Sequence, residues 1–73
     1  MLEDTDKALL DLEGQRFRQT GRKEAAIRER LDMSAIRYYQ RLNQLIDDPE
    51  ALAYAPMTVN RIRRLREHRS RRS

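Results

Sequence analysis

Between residues 34 and 46 the chain carries neither glycine nor proline, and Tyr38, Leu42 and Leu45 recur there at four- and three-residue spacing. A segment without interruptions whose apolar residues fall on one side is expected to bury that side as an α-helix, with Ala35 on the same face. Ser34 suits the N-cap, because its hydroxyl can accept from one of the first free backbone N–H groups. The remaining glycines and prolines punctuate the rest of the chain. Thr5 or Asp6 can cap a helix over about residues 5–19. There Leu10, Gly14 and Phe17 share a stripe widened by Leu9, and Asp4, Asp6 and Asp11 precede Arg16 and Arg18 in the order the helix dipole favours. Gly14 costs roughly 1 kcal/mol against alanine inside a helix, so it marks close packing or a weak spot. Thr20-Gly21 reads as the stop, with Gly21 in a left-handed cap. A second helix over about 22–30 has Ala26 (or Ala25), Ile27 and Leu31 as its apolar side, and Asp32 and Met33 make a turn into the third helix, 34–46. Asp48 and Pro49 start a short helix, 49–53. Pro56 opens a last one, 56–66, with Val59, Ile62 and Leu65 as its apolar positions. Residues 66–73 bury too little to offset their ordering entropy and are expected to fray. The expected fold is therefore all-α, one small domain over residues 1–65 with a helix-turn-helix core and an additional arginine-rich C-terminal helix.

Seventy-three residues without a cysteine leave no disulfide or thiolate site to staple the chain, so a packed core, helped by a dimer contact, must stabilise it. Net charge is +4 and the pI about 10.1, which favours acidic partners such as nucleic acid. The charge is segregated: −4 over residues 1–13, +5 over 14–46, −3 over 47–59 and +6 over 60–73. Arginine outnumbers lysine 14 to 2. Its planar fork suits phosphate and guanine, although a GC-rich genome gives the same bias without a functional cause. No apolar run approaches the ~18 residues of a membrane span, and the acidic start does not resemble a signal peptide, so a cytoplasmic protein is expected. With one histidine, no cysteine and no convincing carboxylate pair, no catalytic residue, metal site or cofactor is expected and the chain does not read as an enzyme.

Residues 23–45 have the order of a helix-turn-helix: a supporting helix, a tight turn, and a helix whose outer face can enter a major groove. The outer face of that second helix carries Ile36, Arg37, Gln40, Arg41 and Gln44, with Tyr39 and Asn43 on its flanks. Arginine can pair with guanine O6 and N7, glutamine with adenine N6 and N7, and Ile36 can touch a thymine methyl. Arg22, Lys23, Arg28 and Tyr39 are candidates for phosphate, as are Arg61, Arg64, Arg69, Arg71 and Arg72 from the basic C-terminal segment. The motif departs from a common pattern twice. Asp32 stands where the turn often has glycine, and Arg28 stands where the supporting helix often has a small residue. Blander readings accompany each feature. The polar helix face can simply be solvated, and Tyr38 is core with its hydroxyl at the rim. The tail can be solubilising, His68 a bystander, the acids at 47–50 caps and linker, and Met33 and Met57 packing residues.

The stretch KEAAIRERLDMSAIRYYQRLNQLIDDPEALAYAPMTVNRIRRLR resembles a small actinobacterial and actinophage family of unknown function. That family has an RYYQ-LN-LID-PEALA core followed by an arginine-rich helix, and the resemblance covers roughly residues 9–66. It implies a helix-turn-helix-like fold and assigns no activity and no catalytic residue. The leading expectation is a small, sequence-preferring transcriptional regulator that binds double-stranded DNA as a homodimer or as two copies on neighbouring half-sites. The acidic, leucine-bearing first helix is the candidate dimer surface. The rivals are a protein-interaction module, such as a phage factor that binds host transcription or division machinery, and a nucleoid-type DNA binder without sequence preference.

Overall fold

The computed structural model describes residues 1–15 and 19–72, with residues 20 and 68–72 described as backbone alone. Five helices follow one another: α1 (Asp4–Glu13), α2 (Thr20–Leu31), α3 (Ala35–Leu45), α4 (Pro49–Tyr54) and α5 (Pro56–Arg72). There is no strand among the described residues, so the fold is all-α. α1 lies at the centre and packs on α2, α3 and α4, while α2 also packs on α3 and α5 packs on α4. Leu9, Leu10 and Leu12 of α1 meet Ile27 of α2 and Tyr38, Leu42 and Leu45 of α3 in one core, which Ile46, Ala51 and Val59 extend towards α4 and α5. No described helix is long and apolar enough to cross a membrane.

The short elements begin where the side chains allow. Ser34 Oγ accepts the Arg37 backbone N–H at 3.2 Å, a cap worth about 1 kcal/mol. Asp48 Oδ1 accepts from the Glu50 N–H at 2.9 Å, and Pro49 takes the first helical position, where its missing N–H costs nothing. Asp32 ends α2 in the left-handed region (φ 52°, ψ 45°), the conformation a turn glycine would adopt, and its N–H bonds to the Arg28 carbonyl at 3.1 Å. The departure from glycine is thus in chemistry and not in backbone shape. Arg28 itself is exposed, so a bulky residue there displaces nothing in the core.

Four boundaries differ from those expected. α1 starts at Asp4 and not at Thr5 or Asp6, and it ends at Glu13 and not near Gln19. Beyond Glu13 the Gly14 N–H still bonds to Leu10, but the Gln15 N–H turns back to Leu12 at 3.0 Å, a tighter final turn. Phe17, Arg16 and Arg18, expected to continue that helix, lie outside the described residues. Gly21 is no left-handed stop. It lies inside the first turn of α2, with the Arg22 and Lys23 N–H groups bonded to the Gln19 carbonyl at 3.2 and 3.4 Å. Finally, α5 runs to Arg72 instead of giving way near Arg66. Nothing after Pro56 breaks it, and arginine is a good helix former.

Gly14 is exposed at the end of α1, and an added Cβ would meet Thr58 Oγ1 and the Asp11 carbonyl at 3.4 Å, an ordinary contact distance, so close packing does not require glycine there. Leu65, expected to be apolar core, is 58% exposed. The core also contains residues the periodicity did not mark, Leu12 and Ile46.

Candidate nucleic-acid interface

Tyr38, Leu42 and Leu45 turn inward, so the helical period places Ile36, Gln40 and Asn43 at the middle of the outer face of α3. Ile36 is 72% exposed. Arg37 and Gln44 lie on the flank towards α1, and Tyr39 lies on the flank towards α5. Arg37 is exposed, and no described side chain accepts from its guanidinium. Arg37, Gln40, Arg41 and Gln44 form one wall of a shallow groove of about 480 Å³. Glu3, Asp6 and Asp32 contribute acids to the other walls.

Arg41, expected on the base-reading face, is tied inward. Its Nε donates to Asp6 Oδ1 and its Nη2 to Asp6 Oδ2, both at 2.8 Å, and its Nη1 donates to Gln44 Oε1 at 2.9 Å. The Asp6 side chain is 4% exposed and that of Arg41 43%. The Arg41 hydrogen bonds hold the Asp6 carboxyl below its usual value against the opposing effect of burial, and Asp6 in turn raises Arg41. The paired donors that a guanine edge would need are therefore already engaged, and Gln44 shares in the arrangement.

A second polar hub lies at the C-terminal end of α1. Glu13 is 8% exposed and accepts from Lys23 Nζ at 2.6 and 3.1 Å and from the Tyr38 hydroxyl at 2.7 Å. Burial, then the bond to Glu13, push the Tyr38 phenol well above its ordinary value, so it stays a neutral donor across the physiological range. The Lys23 ammonium also stands 5.2 Å from the Tyr39 ring centroid, and the two tyrosine rings meet edge to face at 5.1 Å. Lys23, expected to hold phosphate, thus joins α1, α2 and α3 together. Tyr39 remains 40% exposed.

The arginines of α5 divide in the same way. Arg61 Nη2 donates to the Glu13 carbonyl at 2.7 Å, and Arg63 Nε to the Ile46 carbonyl at 2.8 Å. Arg66 makes paired bonds to Asp47 at 2.9 and 3.3 Å, which lower the Asp47 carboxyl and raise Arg66. Arg64 is exposed and lines a groove with Asn60, Thr58 and Gly14. Arg22 and Arg28 are exposed on α2. The side chains of His68, Arg69, Arg71 and Arg72 lie outside the described residues. Among those that are described, no cluster of three His, Cys, Asp or Glu side chains could hold a metal.

A family model described as protein of unknown function (DUF3263) matches residues 1–73. The chain belongs to that family. No curated protein and no solved structure matches it. In this DUF3263 member the α3 residues Ile36, Arg37, Tyr39, Gln40 and Gln44, with Arg22, Arg28 and Arg64, are the expected site residues that are exposed among the described side chains. Arg41, Lys23 and Arg61 are brought into the internal polar network instead. Asp6, the acceptor that captures Arg41, is read from the sequence as a cap or helix-dipole charge, and Glu13, which captures Lys23, only as part of the −4 over residues 1–13.

Proposed function

We propose that the protein binds double-stranded DNA, with α2, the turn at 32–34 and α3 acting as a helix-turn-helix and α3 entering the major groove. The observation that carries this reading is the outer face of α3, where Ile36, Arg37 and Gln40 stand together in solvent on a helix fixed from behind by Tyr38, Leu42 and Leu45. In this arrangement Arg37 pairs with guanine, Gln40 with adenine, and Ile36 meets a thymine methyl. Arg22, Arg28, Tyr39 and Arg64 contact phosphates, and the C-terminal Arg69, Arg71 and Arg72 extend that contact along the backbone. Arg41 and Gln44 act from behind by setting how α3 sits on α1, and Lys23 and Arg61 by bracing its other end.

On this reading the chain acts by binding rather than by catalysis, as a small cytoplasmic transcriptional regulator of actinobacterial or actinophage origin. A single module offers few contacts, so two copies on neighbouring half-sites are expected. The acids Glu3, Asp6 and Asp32 beside Arg37 disfavour indiscriminate phosphate binding at that flank and favour a site where a base edge meets Arg37. The test is selection from a random duplex pool at low and at physiological ionic strength. Enrichment of one motif, lost in Arg37→Ala/Gln40→Ala, supports a reading helix. Binding without enrichment points to a nucleoid-type binder, and no binding at low salt rejects DNA as the partner.

A further inference from the structure

Along α5 the aliphatic side chains lose cover in sequence order: Val59 is fully buried, Ile62 half-buried and Leu65 58% exposed. Three-residue spacing keeps them on one side of the helix, so the apolar stripe continues beyond the core it packs against. On the facing side Tyr39, 40% exposed, extends from α3 over the same space. Tyr39, Leu42, Ile62 and Leu65 line a groove of about 280 Å³, with Glu13, Asn43 and Arg66 as its polar lining. Its width is set by polar pins: Arg63 to the Ile46 carbonyl and Arg66 to Asp47 hold α5 beyond the end of α3. Leu65 is thus a large aliphatic residue left open among seven arginines on a helix whose walls are already fixed.

We propose that the α3–α5 groove docks an acidic amphipathic helix of another protein, a role distinct from base reading by the outer face of α3 and overlapping the proposed DNA contact at Tyr39. Two exposed anchors, Leu65 and Tyr39, beside the floor made by Leu42 and Ile62, suit aliphatic side chains spaced one helical turn apart, the helix-in-groove mode of recognition. Charge selects the flanks of that helix. Residues 60–73 carry +6, whereas at the opposite wall Glu13 and Lys23 neutralise each other in a 2.6 Å ion pair. Carboxylates on the side of the apolar stripe that faces α5 complement that wall. The α5 of a second copy, also +6, is repelled. A DNA duplex offers no side chain to cover Leu65 and Ile62.

The test is a displayed library of peptides of about four helical turns, with aliphatic residues fixed at i, i+3, i+4 and i+7 and all other positions randomised, selected against the full chain. Survivors rich in Asp and Glu are expected. The best of them, synthesised, should shift the amide resonances of Tyr39, Asn43, Ile62 and Leu65, and Leu65→Lys should weaken it at least about tenfold. Because Leu65 is already exposed, that variant keeps the wild-type spectrum elsewhere. No survivors, neutral or basic survivors, or shifts that map to another face would each overturn the proposal. So would a wild-type dimer that Leu65→Lys makes monomeric, because the groove would then belong to a second copy. None of these results depends on whether α3 binds DNA.

Discussion

α3 turns Tyr38, Leu42 and Leu45 into the core within eleven residues, whereas of the described side chains of the seventeen-residue α5 only Val59 is fully buried. The two helices use arginine differently as a result. α3 is seated by apolar contact, so Arg37 is left in solvent, while Arg41 on Asp6 and the Tyr38 hydroxyl on Glu13 set its position against α1. α5 lacks that burial and is fastened by its arginines, with Arg61 and Arg63 on backbone carbonyls and Arg66 on Asp47. A formal charge of +6 over residues 60–73 therefore overstates what a polyanion can reach, since three of the seven arginines already have internal acceptors. Available charge is what remains after the fold has satisfied its own carbonyls and carboxylates.

The largest effect is expected on the α3 side. Arg41→Ala removes the charged partner of Asp6, whose side chain is 4% exposed, and leaves it the Glu3 backbone N–H at 3.3 Å. Breaking a fully buried pair costs ~3–5 kcal/mol, and the partial exposure of Arg41 reduces this to about 2–3 kcal/mol in urea unfolding at neutral pH. Because the Asp6 carboxyl is depressed below its ordinary value of 3.8 in the folded state, its contribution is complete above that value and is lost as pH falls through the lower folded value. The gap between wild type and Arg41→Ala should therefore close in acid, and a gap independent of pH would rule out the pair as its source.

Tyr38→Phe removes one donor from the buried Glu13 while Lys23 remains, so a smaller loss of about 1–2 kcal/mol is expected in the same measurement. Gly21→Ala should act in the opposite direction. A Cβ there meets nothing within 4 Å and the backbone is already helical, so thermal unfolding should show a gain of about 0.4–1 kcal/mol. A loss would return Gly21 to the role of a left-handed stop. Arg66→Ala is the α5 counterpart of Arg41→Ala. Arg66 and Asp47 are both exposed, and a loss much smaller than that of Arg41→Ala is expected. Equal losses for the two arginines would remove the distinction between a clamp and a surface fastening.

Much of this was legible in the residue order. Ser34, Asp48-Pro49 and Pro56 start their helices as their chemistry requires, and the spacing of Tyr38, Leu42 and Leu45 marks the inner face of α3. Gly21 was misread because glycine permits a left-handed turn without requiring one, whereas Asp32, a residue less suited to it, takes the only positive φ among the described residues. Asp6 and Arg41 lie 35 residues apart, and no local period relates them, so spacing could not show that a residue read among the base readers is hydrogen-bonded to Asp6. Leu65 was misjudged for the opposite reason: its spacing is right, but no other element lies over it. Spacing shows which side of a helix is apolar but not how far the rest of the chain reaches to cover it.

The most direct test of the division between engaged and available arginines is the salt dependence of binding to an unselected DNA duplex for wild type, Arg64→Ala and Arg66→Ala. Arg64→Ala should reduce the slope of log K against log salt by about 1, the signature of one lost phosphate contact, and Arg66→Ala should leave it unchanged. Equal reductions in both variants would contradict the division, and no binding by the wild type at low salt would remove DNA as the partner.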